Sequence, residues 1–332
     1  MEKYAHSNIK SVSVKNFKSV KSITLSDCRR INVLIGRPNV GKSNLLEALA
    51  LFDVPYMVNT SNKSLKNLVR IEDTADLFHN CISTSPIEVM ADDNSLAVNR
   101  SANNGLTVDI SIQSDISKYT FTPSLNISTK KEPTVLPDIL AYFFPEHFVA
   151  ESSNARVLLP PYGVNLMETV ANLLNLKSNL AELFHGYGLK MMFDSGSQQI
   201  KAMRVNGLDM FLVPFNSLAD SLQRLIFYRS AIDSNRNKVI CFEEPEAHTF
   251  PPYISNVVND IIASEDNQFF ITTHSPYVMS ALLESAGDDL AVFVVDMENN
   301  ATVINRLSEQ QLQEAYDNGM DMFYNLEAYL GK

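Results

Sequence analysis

Little in this sequence could anchor it in a membrane, staple it with disulfides or bind a metal through histidines. No apolar run approaches the roughly 18 residues that a membrane helix needs. The longest near the C-terminus, Leu290 to Val295, is stopped by Asp296. The opening residues MEKYAHSNIK lack the apolar stretch of a secretory signal peptide. Cys28, Cys81 and Cys241 stand far apart with no C-x-x-C pair, which argues against disulfides and zinc sites. They are expected to be small buried or half-buried fillers. Five histidines, His6, His79, His147, His185 and His248, show no metal-ligand spacing and are expected to be structural. Internal repeats and low-complexity segments are also missing. These absences predict a cytoplasmic protein with no membrane partner.

What is present is a chain of 332 residues with 45% hydrophobic and 20% charged content, the composition of a soluble globular protein. That length fits about two domains, or one large α/β unit with insertions. The net charge of −11 is uneven. From Val239 onward sixteen Asp/Glu face two Lys/Arg, a balance of −14, so the first 238 residues carry +3. Residues 1–30 hold seven Lys/Arg against two Asp/Glu. A local basic face able to meet nucleic acid is one reading of that end; a solvated surface is the plainer one.

Chemistry concentrates first at Gly36-Arg37-Pro38-Asn39-Val40-Gly41-Lys42-Ser43, which fits the phosphate-loop pattern G-x-x-x-x-G-K-[ST]. The apolar run Ile31 to Ile35 leads in as a strand, and Asn44 to Phe52 leads out as a helix. The two glycines let consecutive N–H groups point at phosphate oxygens, and the helix start adds partial positive charge. Lys42 should reach the β- and γ-phosphates, and the Ser43 hydroxyl should ligate Mg2+. An N-K-x-D motif, which a GTPase needs, is missing: Asn62-Lys63 and Asn237-Lys238 lack the aspartate.

Two later strands add candidates. Val239 to Phe242 ends in Glu243-Glu244-Pro245, the carboxylate pair that a metal-bound triphosphate needs at the carboxyl edge of a sheet. Glu243 would hold the metal, and Glu244 would accept a proton from the attacking water or position it. A surface acidic turn is the alternative. Phe269 to Ile271 delivers Thr272-Thr273-His274, where His274 could sense the γ-phosphate or the water, or be a satisfied structural histidine. Elsewhere, Ile9 to Val14, Ile23 to Leu25, Ile87 to Met90, Leu96 to Val98 and Leu106 to Ile112 read as strands, and Leu65 to Phe78 as helical. Residues 113–136 read as loop or weak strands. Spacing turns helical from Pro137 to Tyr187, with two helices suggested by Leu166 to Leu174 and Leu180 to Phe184. A strand and then helices are expected after Asp296.

The order of these motifs resembles the ABC-type ATPase heads of the RecF, SMC and OLD class, over nearly the whole chain. Asn16-Phe17-Lys18-Ser19 matches the opening turn of that class. Phe242-Glu243-Glu244-Pro245-Glu246-Ala247-His248 is similar to the Walker B strand of small standalone AAA-family ATPases found beside nucleases in bacterial anti-phage defence or repair operons. Ile271-Thr272-Thr273-His274-Ser275 is similar to their switch-histidine strand. The resemblance implies a P-loop α/β head: a mixed or antiparallel N-terminal β lobe (1–136), a short helical lobe (137–230) and a parallel-sheet core (231–332). It also implies ATP and Mg2+ as ligands, hydrolysis between two heads in a homodimer or higher oligomer, and a phosphate contact from Lys18. A separate nuclease or toxin effector would be the partner.

The family's signature, L-S-D-G-T-x-R, corresponds to Leu218-Ala219-Asp220-Ser221-Leu222-Gln223-Arg224. Leu218, Asp220 and Arg224 keep their places, but Ala219 and Ser221 replace the serine and glycine. The lost hydroxyl removes a trans contact worth about 1 kcal/mol or more unless Ser217 or Ser221 restores it. The Q-loop glutamine has no clear counterpart, and Glu246 to Phe250 stands where a D-loop aspartate would be. With L-S-G-G-Q also missing, a transporter subunit is disfavoured. Active hydrolysis and a slow, ATP-bound scaffold are therefore the two competing functional expectations.

Overall fold

The computed structural model describes residues 8–58, 60–61, 63–129 and 135–330. His6 and Asn62, which the sequence singled out, lie outside the described residues. In chain order the strands and helices are β1 (Val12–Phe17), β2 (Val20–Leu25), β3 (Ile31–Gly36), α1 (Lys42–Ala50), α2 (Val54–Met57), β4 (Ile87–Ala91), β5 (Asn94–Arg100), β6 (Leu106–Ile112), β7 (Asp115–Phe121), β8 (Ile139–Tyr142), α3 (Leu166–Asn172) and α4 (Leu174–Gly186). They continue with β9 (Lys190–Asp194), β10 (Gln199–Asn206), β11 (Asp209–Pro214), α5 (Asp220–Ser234), β12 (Val239–Glu243), α6 (Pro251–Ala263), β13 (Gln268–Thr272), α7 (Pro276–Ser285), β14 (Leu290–Glu298), β15 (Ala301–Arg306), α8 (Glu309–Asp317) and α9 (Leu326–Tyr329).

Two compact units share this chain: residues 1–141, 237–244 and 268–332 belong to the first, and 142–236 with 245–267 to the second. The expected C-terminal lobe, 231–332, is thus divided between them. The first unit holds two six-stranded sheets. One is antiparallel, in the order β2-β1-β4-β5-β6-β7; the other is mixed, β15-β14-β3-β13-β12-β8. The antiparallel strands alternate in burial, as β6 does with every second residue from Leu106 to Ile112 buried. In the mixed sheet β14, β3, β13 and β12 run parallel. β3 and β13 are buried at every residue, which is why they read as largely apolar runs, with Asn32, Gln268 and Thr272 as buried polar members. Helix α1 lies between the sheets: its Leu45, Leu46 and Leu49 meet Val12, Val14 and Leu25 on one side and Leu34 and Phe270 on the other, around a small apolar cavity. The second unit builds α3 to α6 around a three-stranded antiparallel sheet, β11-β10-β9.

Two secondary-structure expectations need correction. Leu65 to Phe78 is not a helix but short 3-10 turns over Leu65–Asn67 and Thr74–Leu77. Ser64 caps the first turn and Asp73 the second with a capping box, so two separate starts compete with one continuous helix. Residues 113–136 read as loop or weak strands, and over 115–121 the strand alternative holds, as β7 with Tyr119 and Phe121 buried. Residues 139–142 are the strand β8, buried throughout, and helix begins only at Leu166. A four-residue apolar run carries too little periodicity to tell the two apart. Of the cysteines, Cys28 and Cys241 are buried, but Cys81 is exposed, and all three are free. Among the described residues no helix is long and apolar enough to cross a membrane.

Candidate functional site

The loop between β3 and α1 is shaped by two glycines that no other residue could replace without displacement. Gly36 has φ +155° and sits so close to Val295 that a Cβ would lie 2.2 Å from its carbonyl oxygen. Gly41 has φ +103°, and a Cβ there would meet Thr302 Oγ1 at 2.3 Å and Ser19 Oγ at 2.6 Å. Those two hydroxyls brace the loop from behind. Ser19 Oγ and Thr302 Oγ1 lie 2.7 Å apart, Thr302 donates to the Val40 carbonyl at 2.9 Å, and Asn44 Nδ2 donates to Ser19 Oγ at 2.7 Å. Arg37, Pro38 and Asn39 form the exposed rim, and Asn39 is left-handed at φ 61°. Among the described residues no side chain caps the start of α1, and its first turn holds no acid, so the first N–H groups of Lys42, Ser43 and Asn44 stay open to an anion.

Lys42 is buried and folded back on the loop, donating to Gly36 O at 3.0 Å and Arg37 O at 2.8 Å. Burial lowers the pKa of its ammonium, and the Glu244 carboxylate opposes that shift. Parallel register lines up Glu243 with Thr272, and Thr272 with Leu34. Glu243 and Glu244, Thr273 and His274, and Gly36 therefore leave neighbouring strands at the same carboxyl edge, where α/β sheets bind ligands. Glu244 has φ 41°, a strained value for a glutamate, and its N–H donates to Thr272 O at 3.0 Å. Its Oε1 lies 3.5 Å from His274 Nε2. Burial, then the Lys42 ammonium, lower the pKa of His274 against the pull of Glu244, so the ring is neutral near pH 7.

Sequence reasoning missed a charged cluster beside these residues. Glu47 of α1, buried in the same unit, pairs with the Lys18 ammonium, and Lys18 also donates to Arg70 O at 2.9 Å. Arg70 Nε lies 3.7 Å from Glu47 Oε1, and its Nη2 pairs with Glu243. Burial raises the pKa of Glu47, and the Lys18 and Arg70 charges hold it down in opposition. For Arg70, burial works against the charge, but Glu243, Glu47 and Glu244 together outweigh it and the net shift is upward. The signal available in the sequence was Glu47 itself, one acid among Leu45, Leu46, Ala48 and Leu49. Lys18 has φ 49° and stays in place through its N–H to Leu77 O at 2.9 Å and its carbonyl to His79 Nδ1 at 2.8 Å. Two C-terminal residues also reach the site: Glu327 pairs with Arg37 at 2.6 Å, and the Phe323 ring lies 6.4 Å from that of His274.

The signature-like residues belong to the second unit. Ser217 ends a 3-10 turn, and Ala219 precedes the first residue of α5, offering no side-chain cap. Asp220 pairs with Arg224 at 3.0 Å, and Arg224 stacks 4.4 Å above the Phe144 ring. The Ser221 hydroxyl is already engaged, donating to His248 O at 3.2 Å and accepting from Phe250 N at 3.0 Å.

A fit to ATP and Mg2+ follows from this donor set: a glycine-walled cradle of N–H groups, a buried lysine, the Ser43 hydroxyl at the helix start and the Glu243 carboxylate. Comparison with known proteins points to an ATPase. The family model described as AAA ATPase domain matches residues 8–157 and 218–279, more than half of the chain. An ATP/GTP phosphatase of Helicobacter pylori is 40% identical over 65 residues, 20% of this chain and 16% of that protein. An uncharacterized protein of Methanocaldococcus jannaschii is 41% identical over 44 residues, 13% of this chain and 20% of that protein. The matched stretches thus span at most a fifth of the curated relatives' length. In fold, the chain is similar to an Smc head bound to the C-terminal winged-helix domain of ScpA (TM-score 0.51, 15% identity, 92% of this chain and 99% of the other). It is also similar to the Smc head of Pyrococcus furiosus with an extended coiled coil, bound to the C-terminal domain of ScpA (TM-score 0.52, 14% identity, 94% and 99%).

Proposed function

This chain belongs to the AAA ATPase domain family and has the fold of an Smc-type ABC ATPase head, and from that premise we propose that it binds ATP with Mg2+ and hydrolyses it. One observation carries the reading: the phosphate loop, Glu243, Glu244 and His274 leave adjacent parallel strands at one edge of one sheet. In this reading the N–H groups of Asn39 to Asn44 and the Lys42 ammonium hold the phosphates. Mg2+, held by Ser43 and Glu243, would supply neutralising charge on the triphosphate. Lys42 must leave the Gly36 and Arg37 carbonyls to reach phosphate, and Arg70 must give up Glu243. Glu244 takes the proton of the attacking water, and neutral His274 holds either that water or the carboxylate in position. Lys18, tethered by Glu47, adds positive charge at the loop's flank.

The wider role we infer is nucleotide-driven pairing of two heads that controls a separate effector, a nuclease or a toxin, in bacterial anti-phage defence or DNA repair, in the cytoplasm. A second reading has a specific observation behind it. Ala219 brings no hydroxyl, and that of Ser221 is held by the 248–250 turn, so unless Ser217 supplies the contact, trans activation would be weak and the protein a slow, ATP-bound scaffold. Phosphate release from purified protein separates the two. Turnover well above that of Lys42→Ala supports the enzyme; release equal to the Lys42→Ala background defeats it. Direct nucleic-acid binding by the basic N-terminal end would show affinity falling steeply with salt, and a flat salt response would remove it.

A further inference from the structure

We propose that the outer edge of β11 is a dimerisation surface, where two copies of this chain join strand to strand without nucleotide. Among the described residues β11 ends its sheet and pairs only with β10. Three successive residues along it, Met210, Phe211 and Leu212, are 69%, 56% and 53% exposed. Neighbouring residues of a strand point to opposite faces, so both faces of β11 are bare. Register extends the Met210–Leu212 face across the sheet, because Val205 lies opposite Met210 and Met203 opposite Leu212. Exposed Met192, opposite Lys201, stands on the same face, and Leu208 projects fully from the turn. A clustered apolar surface of this kind marks an interaction site.

The shape of the surface selects the occupant. A helix laid on one face would cover Met210 and Leu212 but leave Phe211 in water. A strand added to the edge flanks both faces, and it must itself be apolar on both sides, which β11 is. The edge also lacks the usual protections: from 209 to 213 it has no lysine and no proline, and Pro214 comes only at its end.

Hydrogen-bond polarity fits too. Asn206 and Asp209 close a two-residue loop with Gly207 at φ +61°, so Phe211 and Val213 bond to β10, while Met210 and Leu212 turn their N–H and C=O outward. A two-fold axis at Phe211 sets Met210 of one copy against Leu212 of the other and allows about four main-chain hydrogen bonds. Pro214, which has no N–H to offer, falls outside them. A strand added at this edge covers the side chains of β11 and its turn, Leu208, Met210, Phe211 and Leu212, while Val205 and Met192 lie one and two strands further in.

Sedimentation of the full chain without nucleotide is the test. A dimer at about 10 μM is expected, and Lys42→Ala should still give it, which separates this surface from nucleotide-driven pairing. Leu212→Pro removes an outward N–H while sparing the β10 bonds, and should yield a monomer with unchanged circular dichroism. Should that variant misfold, Leu212→Lys serves in its place. Phe211→Cys in a Cys81→Ser background should form an intermolecular disulfide on mild oxidation, since residues facing each other at the axis lie within bridging distance. A monomeric wild-type chain, or dimers that survive both Leu212 changes, would overturn the proposal.

Discussion

Arg70 shows how one residue can set the order of events at a site. Its guanidinium occupies the carboxylate that Mg2+ would need, and Glu47 and the Lys18 chain hold its backbone close by. Arg70→Ala should therefore lower the Mg2+ concentration giving half-maximal phosphate release, by roughly fivefold if the exposed pair is worth about 1 kcal/mol. A magnesium titration checks this, and an unchanged midpoint would mean that the arginine does not compete. Asp53 poses a different question. It is fully buried; one oxygen accepts the Ala141 N–H at 2.8 Å, and the other has no hydrogen-bond partner among the described residues. Burial pushes its carboxyl pKa well up, so the folded chain holds the proton after the unfolded chain has lost it. Its contribution is complete below the ordinary carboxylate range, near pH 4, and is lost as pH rises through the folded value. Melting temperatures measured from pH 4 to pH 8 should therefore decline less steeply for Asp53→Asn than for the wild type.

At the scale of elements, β15 braces the phosphate loop through Thr302, which is buried and donates to Val40 O. Thr302→Val removes that donor and should cost about 1–3 kcal/mol, the price of an orphaned buried carbonyl. We expect KM for ATP to rise more than kcat falls, measured by steady-state phosphate release, because the loop is loosened while Glu244 is untouched. The sequence declared the elements that carry strong local patterns. β3, β12 and β13 show as apolar runs ending in Gly36, Glu243 and Thr272, and β4 to β6 by alternation. It hid those decided by distant partners. Arg70 could not be seen as part of the site while Leu65 to Phe78 read as a helix, because its hydrogen bond runs to Glu47 in another element. β11 went unrecognised because its exposed apolar residues follow no inside–outside alternation. Ser221 kept a signature position on paper, yet its hydroxyl is taken by residues 27 and 29 positions on.

Across the whole molecule, the proposed reaction needs two heads. Glu244→Gln should stop hydrolysis after ATP binding, so the variant should accumulate an ATP-dependent species of higher mass than it shows without nucleotide. Light scattering with and without ATP and Mg2+ checks this; equal masses would count against closure of one head on another. Topology adds a constraint on biosynthesis. β3 is finished by residue 36, yet its neighbours on either side, β13 and β14, begin only at 268 and 290. A ribosome has thus made most of the polypeptide before the central strand can be flanked, and until then a ribbon apolar but for Asn32 waits unpaired. Such a delay favours chaperone dependence during synthesis and aggregation of C-terminally shortened products, a liability written into the strand order itself.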